Sequence, residues 1–154
     1  MTGMRSILVP LDGSPLTEQA LFRATALAQK FRSEVILLHI LPIPVPAPPV
    51  SHPEMCTGWK RVALGCARRK AEKYLDAQQR QVRRQGIEVR ALMCDRAPAE
   101  GILDVATREG VDLIVMHGRV HEGSPHGHLD GVAGAVAQQS PCPVLLMPSA
   151  EQGE

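Results

Sequence analysis

The chain is poor in aromatic residues: one Trp, one Tyr and two Phe among 154. Proteins that grip single-stranded nucleic acid stack bases on aromatic side chains, so a platform of that kind is nearly absent. Net charge is small as well. A net charge of +1 gives no overall field to draw the protein to nucleic acid or to an anionic membrane. No run approaches the ~18 apolar residues that a membrane span requires. The opening MTGMRSILVPLDGS has one early Arg and too short an apolar segment for a signal peptide. These absences point to a cytoplasmic protein, whose Cys56, Cys66, Cys94 and Cys142 are read as reduced thiols. None of the four makes a CxxC pair, which argues against a thiolate metal site. GxSxG, HExxH and a P-loop lysine are missing too, and no acid–base pair suited to hydrolysis is visible.

What is present is a globular composition, 44% apolar and 21% charged, in about one domain's length. We therefore expect a single domain over residues 1–154. SILVPL (6–11) is a short apolar run stopped by the turn residues DGSP. Ser14 is placed to cap a helix, Pro15 fits its first turn, and Leu16, Ala20, Ala24, Leu27 and Phe31 make an apolar stripe to about Arg32. EVILLHI (34–40) reads as a strand covered on both faces. The proline-rich stretch, about 41–57, reads as an extended surface loop. A long basic helix is expected over about 58–85, ending at Gly86. Then come a strand at 87–93, a helix from Pro98 to about Glu109 and a strand at 111–116. A Gly/His-rich loop (117–127), a short helix to about Gln139 and a last strand in PCPVLLMP complete the chain.

The order βαβαβαβαβ implies an α/β fold: an open, doubly wound, five-stranded parallel sheet, Rossmann-like, with helices on both faces. Such sheets bind ligands beyond the carboxyl ends of their strands, where the strand order reverses. The candidate site is thus built from the loops after Leu11, Ile40 and Met116.

ILVPLDGS, VILLHI, PAEGILDVA, VDLIVM and SPCPVLLMP, in that order over about residues 4–148, resemble the universal stress protein family. The resemblance implies a regulatory, stress-response binding module, usually a homodimer. The family's last strand commonly pairs across the two-fold axis, which here is Val144–Met147, an apolar and otherwise unprotected edge. Some members bind ATP and others do not. Binders carry G-x2-G-x9-G-[ST] between the fourth strand and the last helix, where glycines let backbone N–H groups reach phosphate.

This chain departs from that motif. In direct register the three glycine positions fall on His117, Val120 and Asp130, and the hydroxyl position on Gly131. Shifted by one residue, Gly118, His121 and Gly131 take the glycine positions and Val132 the hydroxyl's. The adenosine side keeps the pattern. Pro10, Leu11 and Asp12 follow the first strand, Ile40 sits where binders contact adenine through the backbone, and Met116 precedes the loop. Asp12 also fits a turn former, and Ile40 and Met116 also fit plain core packing. Arg119 offers a bidentate phosphate contact. The cofactor implied is ATP with Mg²⁺ in a degenerate cleft, with slow ATP hydrolysis as an alternative.

His117, His121, His126 and His128 suggest a further alternative, metal binding by the loop at 117–128. The glycines at 118, 123, 127 and 131 argue instead for a solvated polar loop, so no metal ligand is assigned. The cations of the long helix, Lys60 to Arg84, read as a solvated face rather than a nucleic-acid patch. Ser14 reads as a helix cap rather than a nucleophile.

Overall fold

The structure is a computed structural model that describes residues 3–41, 53–118 and 131–148. Its elements are β1 (Ser6–Leu11), α1 (Pro15–Phe31), β2 (Glu34–Ile40), α2 (Pro53–Arg84), β3 (Val89–Cys94), α3 (Pro98–Glu109), β4 (Leu113–Gly118), α4 (Gly131–Gln139) and β5 (Val144–Pro148). All strand pairs are parallel, in the order β3-β2-β1-β4-β5. This is the doubly wound α/β sheet that the alternation implies.

Successive strand residues point to opposite faces, so each inner strand feeds two cores. On one face Ile7, Val9, Val35, Leu37, Leu113 and Val115 meet Ala20, Leu21 and Ala24 of α1 and Leu75 and Val82 of α2. On the other, Leu8, Ile36, Leu38, Ile114 and Met116 meet Ile102 and Val105 of α3 and Ala133 and Val136 of α4. Burial on both faces is why β1 and β2 read as continuous apolar runs.

The sheet opens like a wedge between β1 and β4. At its base Asp112 Oδ2 accepts the N–H groups of Arg5 (2.8 Å) and Ser6 (3.2 Å), and the Asp112 N–H donates to the Ser6 carbonyl (3.0 Å). Toward its top only Ile7↔Leu113 and Leu8↔Ile114 pair, whereas β1 and β2 stay paired from Ser6 to Leu11. Pro10 supplies a reason. Backbone groups two residues apart point the same way along a strand, so Pro10, like Ser6, turns its backbone edge toward β4. Proline has no N–H, and the donor missing from β1 is one that would have faced β4. A proline inside a central strand is thus tolerated because it stands at the edge of a crevice.

Several boundaries differ from the sequence expectation. α2 begins at Pro53, inside the stretch expected as loop; a proline at the first helical position followed by Glu54 suits a helix start. The rest of the proline-rich stretch, 42–52, lies outside the described residues. β3 starts at Val89 rather than 87. β4 is shifted, beginning at Leu113 and running through His117 and Gly118, which pair with Met147 and Pro148 of β5. The buried stripe of α1 is turned from the expected one. Thr17, Ala20, Leu21, Ala24, Thr25 and Ala28 are buried, while Phe31 is half exposed. No helix among the described residues is long and apolar enough to cross a membrane.

α1 ends on Arg32 in the left-handed region (φ 56°), with its N–H on the Ala28 carbonyl. A side chain there costs about 1–2 kcal/mol, which glycine escapes while adding some unfolded-state entropy that works against folding. Arg32→Gly is therefore expected to stabilise the protein by about 0.5–1 kcal/mol in urea unfolding.

Candidate functional site

A cavity of about 600 Å³ lies at the carboxyl ends of the strands, where the wedge opens. Its size is that of a small-molecule site and its place is the topological switch point. Pro10, Leu11, Asp12, Ile40, Met116, Gly118, Gly131 and Val132 all line it. Of the residues singled out from the sequence, Arg119 lies outside the described residues, as do His121, His126, His128 and Asp130.

Asp12 is held at the start of the turn from β1 to α1. Its Oδ1 accepts the Ser14 N–H at 2.7 Å and stands 3.0 Å from the Thr17 hydroxyl. That hydroxyl is also 2.9 Å from the Ser14 carbonyl. Burial works against a charge on Asp12, but hydrogen bonds from Ser14 and Thr17, with His117 nearby, outweigh it and hold the carboxyl below its usual value. The site therefore presents an ionised carboxylate at neutral pH, an acceptor for ligand O–H or N–H groups.

Ser14 stands at the N-cap position of α1, yet its Oγ makes no capping bond. The Asp12 carboxylate and the Thr17 hydroxyl bind the Ser14 peptide groups instead, and Ser14 Oγ is buried without a partner among the described residues. His117 Nδ1 is likewise buried and unpartnered among them, and His117 lines the cavity. A buried polar atom left unsatisfied is costly, and a ligand or water is the usual remedy.

The opposite wall is the N-terminus of α4, where Gly131, Val132 and Ala133 face the cavity. Gly131 has φ +67°, a conformation that strains any residue with a side chain. The first N–H groups of a helix have no intrahelical partner and are suited to an anion. Between the two poles Ile40, Ile102, Met116 and Pro98 give apolar cover. α3 approaches this floor closely: a Cβ on Gly101 would stand 3.0 Å from Cys94 Sγ and from Ile40 Cδ1.

The sequence reading missed Thr17, hidden in an ordinary helix start, and Arg96, which lines the rim beside Ala97 and Pro98. Arg96 follows β3, whose carboxyl end was not counted among the site loops. The rule that ligands gather at strand carboxyl ends could have found it. Among the described residues no group of three or more His, Cys, Asp or Glu is placed to hold a metal ion.

Residues 3–148 match the family model of the Universal stress protein family. The chain belongs to this family. The universal stress protein YxiE of Bacillus subtilis is 29% identical over 151 residues, covering 92% of this chain and 97% of that protein. Universal stress protein UspA from Lactobacillus plantarum shares the fold, with a TM-score of 0.76 at 21% identity over 96% of this chain and 99% of that one. A universal stress protein solved in complex with cAMP gives a TM-score of 0.63 at 18% identity, over 95% and 98% of the two chains.

Proposed function

We propose that this universal stress protein is a stress-response regulatory module whose cleft binds an adenine nucleotide. The observation that carries the reading is one cavity flanked by an ionised Asp12 and by the α4 N-terminus, with left-handed Gly131 at its start. The base lies against Ile40, Ile102 and Met116, Asp12 accepts hydrogen bonds from the base or ribose, and the phosphates meet the N–H groups of Val132 and Ala133. In the shifted register Gly118 and Gly131, both in the cavity lining, take two of the three glycine positions. Mg²⁺ would come with the phosphates, coordinated by their oxygens and by water. A relative of the same fold was solved in complex with cAMP, which makes a cyclic nucleotide the natural second ligand to test.

The deciding experiment is calorimetric titration of the nucleotide-stripped protein with ATP and Mg²⁺, and separately with cAMP. Micromolar binding of either supports the reading; no heat and no thermal shift at millimolar ligand overturns it.

The module acts as a homodimer through β5. This strand ends the sheet, and its Leu145 side chain is 40% exposed. Because the Pro143 carbonyl accepts from Ile114 of β4, the backbone groups of Val144 and Leu146 point outward, free to pair with a second copy. Leu145→Lys is expected to convert a dimer to a monomer in light scattering, with the thermal midpoint of the monomer fold little changed.

A further inference from the structure

A second polar cluster lies behind the cleft, on the α1/α2 face. His39, near the end of β2, pairs in register with Leu11 of β1 and Met93 of β3. Its Nδ1 stands 3.0 Å from the Leu11 carbonyl oxygen. A carbonyl can only accept, so Nδ1 carries the proton and donates it. The Tyr74 ring of α2 stands next to the imidazole, with centroids 6.4 Å apart and planes tilted by 59°. Tyr74 in turn donates its hydroxyl to Glu18 of α1 at 3.4 Å. Burial, then Glu18 and Asp12, push the Tyr74 hydroxyl up to about 12, so it stays a donor throughout the physiological range.

These contacts close a ring around one residue. Asp12 is fixed on its downstream side by Ser14 and Thr17, and Glu18 follows Thr17 directly. On its upstream side Asp12 joins Leu11, whose carbonyl His39 holds. Tyr74 touches both arms, His39 on one and Glu18 on the other. Two of the side chains in this ring, His39 and Tyr74, lie outside the cavity lining.

We propose that His39, backed by Tyr74, is a positioning residue for the Asp12 turn, so that α2 is coupled to the ligand cleft through this ring. This deepens the nucleotide reading and rests on it for the ligand, but not for the turn. Any movement of α2 that withdraws Tyr74 loosens His39 and, through the Leu11 peptide, the aim of the Asp12 carboxylate. α2 is then a lever by which a partner can change ligand affinity without entering the cleft.

Two measurements on the full chain test it, with His39→Leu removing the donor and His39→Asn supplying an amide N–H in a similar place. The first is the carboxyl titration of Asp12 by carbon-13 NMR without ligand. His39→Leu should bring it up toward the ordinary aspartate value, and His39→Asn should restore the wild-type value. The second is ATP·Mg²⁺ affinity, expected to fall about three- to tenfold in His39→Leu and to recover in His39→Asn. An Asp12 titration unmoved by His39→Leu overturns the proposal, even if affinity falls. If wild type binds no nucleotide, the functional reading fails while the titration still decides this one. Should neither His39 variant fold, Tyr74→Leu withdraws the ring from behind His39; the same upward shift supports the coupling and its absence refutes it.

Discussion

Asp12→Asn is expected to bind ATP with Mg²⁺ about tenfold or more weakly than wild type while keeping its fold. Asparagine preserves an Oδ1 to accept the Ser14 N–H at the geometry now seen at 2.7 Å, so the turn survives. What it loses is the charge and the second acceptor oxygen, replaced by an amide that can only donate. A hydrogen bond to a charged group contributes about 1.5–3 kcal/mol, which corresponds to roughly ten- to a hundredfold in affinity. Equal or tighter binding would mean that the carboxylate repels phosphate more than it holds ribose or base, and would remove Asp12 from the ligand contacts. The same substitution has a signature without ligand. The folded carboxyl is more acidic than its ordinary value of 3.8, so its contribution to stability is present above that pH and is lost as pH falls through the lower folded value. In urea unfolding between neutral pH and pH 3, the wild type should therefore lose more stability than Asp12→Asn does.

The largest stability effect is expected at Leu37. It is fully buried at the middle of β2, in register with Val9 of β1 and Ala91 of β3, and packs in the core under α1 and α2. Leu37→Ala removes three carbons where strand backbones on both sides cannot collapse into the space. A cost of about 2–5 kcal/mol follows, with a drop in thermal midpoint of roughly 4–20 °C for a chain of this size. Leu37→Met, which nearly conserves volume, should cost under about 1.5 kcal/mol. A loss below about 1 kcal/mol for alanine would show that α1 and α2 settle onto the sheet more freely than their packing implies.

The legible parts of the fold were those where periodicity and punctuation agree. SILVPL and EVILLHI are β1 and β2 to the residue, and Pro98 and Gly110 bracket α3 as their backbone chemistry requires. The misread parts are places where composition and structure part company. His117 and Gly118 look like loop, yet they extend β4 because Met147 and Pro148 of β5 lie alongside to pair with them. Pro53 reads as one more proline of a loop but is the first residue of a helix. In α1 the expected stripe shares Ala20 and Ala24 with the buried face, but the rest of that face is Thr17, Leu21, Thr25 and Ala28 in place of Leu16, Leu27 and Phe31. The cleft's lining was legible where chain order alone fixes it, at the ends of β1, β2 and β4. Arg96 falls under the same rule at the end of β3. His39 and Tyr74, behind the lining, were not legible, because a strand histidine facing a helix tyrosine leaves no spacing signature. They meet only in three dimensions.

Pro10 has a consequence for kinetics. The gap between β1 and β4 is set by a covalent property of one residue, an amide with no hydrogen to give. Between these two strands the cleft is thus open before any ligand arrives. Such an opening admits a ligand without first breaking β1–β4 hydrogen bonds, so residence time should carry the differences in affinity among ligands. Returning the missing donor with Pro10→Ala would give β1 the means to pair further with β4, converting a permanent opening into one that has to be unzipped.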